Sequence, residues 1–191
     1  MNLPNRLTIL RVCLIPVFVV LLLLSGMGPE YFWCSLAAVV VFIAACITDA
    51  LDGRIARKYN MVTNFGKFMD PLADKLLVCS ALICLITIGR IETWIVLIIV
   101  AREFIISGFR LVAAEQGLVL AASKLAKVKT AVQMVTVITL IVNLPSYSIY
   151  LPWLSYVTIL EFILKYAALI LTVASLLEYL IKNRWVMKGQ M

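Results

Sequence analysis

Asp49, Asp52, Asp70 and Asp74 lie in one stretch, DALDGRIARKYNMVTNFGKFMDPLADK, in a chain of 191 residues that is 64% hydrophobic and has ten acidic residues in all. Asp49 and Asp52 are i, i+3; Asp70 and Asp74 are i, i+4. On helices, each spacing puts a pair on one face. A short loop at 58–66 lets the two helices run antiparallel, so that four carboxylates converge on one cavity. They cannot all stay ionised there unaided, because repulsion and desolvation favour the protonated form. Two divalent cations would neutralise them. An all-oxygen donor set favours Mg²⁺, then Mn²⁺, and disfavours zinc. Paired metals bridged by carboxylates are a recurring device for phosphoryl transfer. The alternative is four helix-end aspartates paired with Arg54, Arg57, Lys67 and Lys75. Gly53 and Gly66 beside them suit close approach by a ligand, though either also suits a helix end or a turn.

Other chemistry is narrowed by what the chain lacks. It has no histidine, which removes Ser/His/Asp and Cys/His triads, HExxH zinc sites and phosphohistidine. Cys13, Cys34, Cys46, Cys79 and Cys84 lie inside apolar runs without CxxC spacing, so they read as small buried hydrophobes.

The elements that position the aspartates must cross a bilayer, which takes about 20 apolar residues of helix per span. Pro4 suits the first turn of a short N-terminal interfacial helix. Val12–Leu24 then forms the first membrane helix; the spans that follow argue against a cleaved leader. A second run covers Tyr31–Thr48. Between Lys75 and Arg90 lie only 14 uncharged residues, about 21 Å of helix against about 30 Å of hydrocarbon. The third helix must therefore begin earlier and carry Asp70 and Asp74. A fourth run, Thr93–Phe109, is interrupted by Arg102 and Glu103. The fifth starts near Thr130 and ends at NLPSYSIYLP. The sixth runs from Trp153 to about Leu180; in it Glu161 and Lys165 are i, i+4, to pair within the helix or across an interface.

The sequence thus predicts an all-α integral membrane protein, one domain over 1–191, with six transmembrane helices. With the N-terminus inside, Arg6, Arg54, Arg57, Lys58, Lys67, Lys124, Lys127, Lys129, Lys182, Arg184 and Lys188 fall in or beside cytoplasmic segments. The loops near 26–30 and 145–152 carry no Lys or Arg. That asymmetry predicts a cytoplasmic-membrane protein with both termini and the aspartates on the cytoplasmic side. The net charge of +7 is accounted for in this way, and nucleic-acid binding is not expected without a soluble basic face.

Written as D-x2-D-G-x2-A-R-x8-G-x3-D-x3-D, the stretch holds Asp49, Asp52, Gly53, Ala56, Arg57, Gly66, Asp70 and Asp74 without a mismatch. It resembles the signature of the CDP-alcohol phosphotransferase family. The likeness extends over nearly the whole chain through NLPNRLTILRV, DPLADKLL, AREFIISGFR and KVKTAVQM. One departure is Ala126, where a glycine is expected before Lys-Val-Lys. The resemblance implies a six-helix membrane enzyme, usually a homodimer, that moves a phosphatidyl group from CDP-diacylglycerol to an alcohol and releases CMP. It implies metal held by Asp49, Asp52 and Asp70, with Asp74 lining the same metal site as general base. Asp52, Gly53, Ala56, Arg57 and Gly66 inherit contact with the CDP moiety. Asn5, Thr8 and Arg11 inherit the nucleotide-phosphate side, against the alternative of an ordinary interfacial helix.

The branch it is most similar to uses sn-glycerol 3-phosphate as acceptor, in phosphatidylglycerol and cardiolipin synthesis. A basic pocket would suit that dianion: Arg110 ends helix 4, and Lys124, Lys127 and Lys129 precede or open helix 5 on the same side. Arg110 and Lys129 are the first candidates for the acceptor phosphate, then Lys127, then the deeper Arg102. The alternative is loop charges with no ligand. Rival functions are the same chemistry on serine or an inositol phosphate, and a cation transporter. Transport predicts acidic residues spread along a path through the bilayer, whereas these crowd together beside arginines.

Overall fold

The computed structural model describes the backbone at residues 3–58, 64–115, 123–142 and 157–183; within these, the side chains at 3–7, 29, 49–71, 74, 115 and 157 lie outside the described residues. Six α-helices are described: α1 (Leu3–Ser25), α2 (Phe32–Lys58), α3 (Asn64–Thr87), α4 (Thr93–Glu115), α5 (Lys124–Val142) and α6 (Val157–Lys182). A 3₁₀ turn, Pro29–Tyr31, leads into α2. No strand occurs among the described residues.

The short N-terminal helix is not a separate element, because α1 runs unbroken for 23 residues. Pro4 sits in the first turn, where its missing N–H is not needed, and no glycine precedes Gly26. Among the described residues, three helical segments are long and apolar enough to cross a membrane: Thr8–Ser25, Lys124–Val142 and Thr158–Lys182. The apolar stretches Phe32–Thr48 and Lys75–Thr87 are shorter, because the charged motif continues the same helices at their adjoining ends.

The chain divides into two compact units, Met1–Arg90 with Val137–Thr158, and Ile91–Thr136 with Ile159–Met191. In the first, α1 packs against both α2 and α3. Phe18 and Phe42 meet with ring centroids 5.5 Å apart, and Leu22, Ala38, Ala45, Leu77, Ala81 and Leu85 are buried. The end of α1 approaches the end of α3 closely: a Cβ on Gly26 would come within 2.8 Å of Ile88. Gly89, at φ 77°, closes α3 by donating its N–H to the Ile86 carbonyl, while Arg90 N–H reaches the Leu85 carbonyl. That pair of bonds is a Schellman motif, and its left-handed residue favours glycine.

In the second unit α4 runs past Phe109 through Arg110–Glu115, a stretch of good helix formers. Ile95, Ile99, Ile106, Ala113 and Ala168 are buried. Thr136 Oγ1 on α5 donates to the Leu164 carbonyl of α6 at 3.2 Å. Helix α5 begins at Lys124, six residues before the expected Thr130. Ser123 caps it, its Oγ accepting the Ala126 N–H at 3.1 Å and donating to Glu178 at 2.9 Å.

Lys165 settles part of the question about α6. Its Nζ bonds both carboxylate oxygens of Glu92, at 2.9 and 3.0 Å. Partial burial pushes the Glu92 carboxyl up, but the hydrogen bond and charge of Lys165 outweigh it and hold the group below its ordinary value. Glu161 is buried on the same helix.

Candidate active site

The motif aspartates stand on two continuous helices of the first unit. Asp49 and Asp52 fall on α2, which carries on from Thr48 to Lys58, and Asp70 and Asp74 fall on α3, which starts at Asn64. The expected early start of the third helix is therefore observed, and both pairs keep their i, i+3 and i, i+4 register on helical backbone. Their side chains, with those of Asn5, Ala56 and Arg57, lie outside the described residues, while Gly53 and Gly66 fall on the helical backbone of α2 and α3. Among the described residues no group of three or more His, Cys, Asp or Glu is placed to hold a metal. The four motif aspartates would offer carboxylates alone, a chemistry that fits a hard divalent cation such as Mg²⁺ or Mn²⁺. Thr8 and Arg11, one turn apart on α1 of this unit, are both buried.

The second unit gathers cations. Lys129 on α5 is 1% exposed, and its Nζ donates to Oε1 of Glu103 on α4. The same oxygen accepts Arg102 Nη1 at 3.1 Å, and Arg102 Nη2 continues to Ser175 Oγ on α6 at 3.0 Å. Two buried cations therefore share one carboxylate. Arg110 is exposed, with its guanidinium carbon 5.9 Å from the centre of the Tyr179 ring. Lys127 is exposed on α5. The structure thus joins Lys129 and Arg102 through Glu103, places Arg110 against α6, and leaves Lys127 at the surface. Such a set can hold an anion with charge-assisted hydrogen bonds.

The family model for CDP-alcohol phosphatidyltransferase matches residues 1–180. The chain belongs to the CDP-alcohol phosphatidyltransferase family. A CDP-diacylglycerol–glycerol-3-phosphate 3-phosphatidyltransferase of Bacillus subtilis (strain 168) is 42% identical over 190 residues, covering 95% of each chain. One of the same name from Pseudomonas fluorescens is 37% identical over 190 residues, 94% of this chain and 89% of that one. A probable phosphatidylglycerophosphate synthase of Mycobacterium tuberculosis (strain ATCC 25618 / H37Rv) is 43% identical over 136 residues, 71% of this chain and 64% of that protein.

Within this CDP-alcohol phosphatidyltransferase, the departure at Ala126 has a simple structural setting. Ala126 lies in the first turn of α5 with its N–H on the Ser123 cap, a helical position where alanine is the better helix former. Sequence reading missed four residues of the second unit: Glu103 as the shared partner of two cations, Ser123 as the cap, and Ser175 and Tyr179 as the α6 contacts. A serine just before a helix was a usable signal for Ser123. Lys124 and Lys127 obscured it, since cations near a helix N-terminus oppose the dipole. Nothing local in the sequence pairs Glu103 with Lys129, which is 26 positions away.

Proposed function

We propose that this chain transfers the phosphatidyl group of CDP-diacylglycerol to sn-glycerol 3-phosphate, giving phosphatidylglycerophosphate and CMP. The observation that carries the reading is the intact eight-position motif on α2 and α3, in a chain 37–43% identical to relatives bearing that activity in their names. In the proposed step the acceptor's 1-hydroxyl oxygen bonds to the β-phosphorus of CDP-diacylglycerol. The bond from that phosphorus to the oxygen bridging to CMP breaks, and the hydroxyl proton passes to Asp74. With no histidine and no evident Ser or Cys nucleophile, direct in-line transfer is more economical than a covalent intermediate.

Asp49, Asp52, Asp70 and Asp74 would hold two Mg²⁺ or Mn²⁺ ions. A free aspartate is a weak base for an alcohol; bound metal supplies charge against the diphosphate and acidifies the hydroxyl. Asn5, Thr8, Arg11, Asp52, Gly53, Ala56, Arg57 and Gly66 would bind the CDP moiety. Arg110, Lys129, Lys127 and Arg102 would hold the acceptor's phosphate. The proposed setting is a homodimer of six-span subunits in the cytoplasmic membrane, with both termini and the site on the cytoplasmic side.

The test is purified protein with labelled CDP-diacylglycerol and a panel of sn-glycerol 3-phosphate, L-serine and inositol phosphate. Glycerol 3-phosphate should be the preferred acceptor, and Arg110→Ala and Lys129→Ala should each raise its KM about tenfold to a hundredfold. Preference for serine, or an unchanged KM in both variants, would sink the acceptor assignment.

A further inference from the structure

Helix α6 presents a column of buried polar side chains, Thr172, Ser175 and Tyr179. The first two are satisfied. Thr172 Oγ1 donates to the Ala168 carbonyl at 2.6 Å, and Ser175 Oγ donates to the Thr172 carbonyl at 3.0 Å while accepting from Arg102. Tyr179 differs. It is only 4% exposed, yet its hydroxyl meets no hydrogen-bond partner among the described residues.

The ring, in contrast, is firmly held. Phe109 packs edge-on at 5.8 Å between centroids, and the Arg110 guanidinium lies over it. A phenylalanine would make both contacts, whereas a buried hydroxyl without a partner costs about 1–3 kcal/mol. Arg102 Nε is a second buried donor without a partner among the described residues, and Arg102 reaches α6 one turn before Tyr179, at Ser175. Helical side chains tend to lean toward the N-terminus, the direction in which Ser175 lies from Tyr179 on α6. Two unused buried donors, from side chains that meet on adjacent turns of α6 beside the Arg102 and Arg110 guanidinium groups, suit an anion.

We infer that Tyr179 is a binding residue for the acceptor's phosphate. Its hydroxyl donates to a phosphate oxygen, and its ring face holds the Arg110 guanidinium in position for the same group. The inference rests on the acceptor reading above and adds a residue to it.

Tyr179→Phe keeps the ring and removes only the hydroxyl. The KM for sn-glycerol 3-phosphate should rise about tenfold, the loss of one hydrogen bond to a charged group. The kcat and the KM for CDP-diacylglycerol should stay within about twofold of wild type. Thermal stability without substrate should not fall, because the hydroxyl has no partner to lose. The stabilisation that glycerol 3-phosphate gives the detergent-solubilised protein should shrink in the variant. An unchanged acceptor KM, a rise confined to CDP-diacylglycerol, or a lower Tm with normal KM would each overturn the inference. A wild-type enzyme that does not use glycerol 3-phosphate would overturn the acceptor reading itself, and the inference with it.

Discussion

In the first unit the charges proposed to act are carboxylates, two on α2 and two on α3, at helix spacings beside glycines. In the second they are cations on α4 and α5, and part of their charge is already met inside the protein: Lys129 and Arg102 both bond Glu103, and Arg102 also bonds Ser175. The two sets should therefore respond differently to mutation. Like charges gathered for a metal repel one another when the metal is absent, so losing one of them should spare the fold and abolish turnover. Opposite charges bonded to one another stabilise the fold they sit in, so losing the shared carboxylate should damage stability first.

The largest effect should come from the first set. Exhaustive EDTA treatment should remove activity and Mg²⁺ should restore it; full activity after chelation would rule out metal dependence. Asp49→Asn should weaken metal and CDP-diacylglycerol binding together and lower turnover by about 10³-fold, the several kcal/mol that a metal clamp supplies. Its apparent Tm without metal should match or exceed wild type.

Asp74→Asn sharpens the division within that set. A general base acts in the chemical step, so kcat should fall by about 10²-fold or more while CDP-diacylglycerol affinity changes little. Equal binding losses in Asp49→Asn and Asp74→Asn would argue against separate roles.

Glu103→Gln tests the second unit. Removing one partner of a buried ion pair costs about 3–5 kcal/mol, and here a single carboxylate serves two buried cations. The variant should unfold at clearly lower temperature, and the acceptor KM should rise because Lys129 and Arg102 lose their anchor. A variant as stable as wild type would show that Glu103 is not what holds these cations in place.

The same contrast explains what could be read from the sequence. The aspartates were legible because helical spacing is local: i, i+3 and i, i+4 within one stretch need no tertiary information. Too short an apolar run between Lys75 and Arg90 was enough to place Asp70 and Asp74 on α3, where the backbone carries them. Lys129 and Arg102 were legible as candidates, but their partner was not. Glu103 first appears as an interruption of an apolar run, and only the bond that Lys129 brings from α5 gives it a role. Tyr179 was silent for the same reason, since one tyrosine near the end of an apolar helix is unremarkable until Phe109 and Arg110 are seen against it. The start of α5 was misplaced because hydropathy marks where apolar residues begin, while Ser123 marks where the backbone hydrogen bonds begin.

The smallest expected effect belongs to Glu92, whose ion pair with Lys165 is the solvent-facing counterpart of the Glu103 cluster. Lys165 holds the Glu92 carboxyl below its ordinary value despite the upward push of burial. A carboxyl with a lower pKa in the folded state binds fewer protons there than in the unfolded chain. Its contribution to stability is therefore complete above the unfolded value, about pH 4.3 for glutamate, and is lost as pH falls through the folded value. The Glu92 side chain is 42% exposed, so water and salt screen the pair and its worth should be about 0.2–1 kcal/mol. Glu92→Gln should accordingly lower Tm by a few degrees at most near neutral pH, with kcat and both KM values unchanged. The gap from wild type should narrow in high salt and close when both proteins are compared at a pH below the folded value. Thermal unfolding of the two proteins across that pH range is the measurement. A gap that persists in acid would assign the contribution of Glu92 to packing and remove the ionic account of this pair.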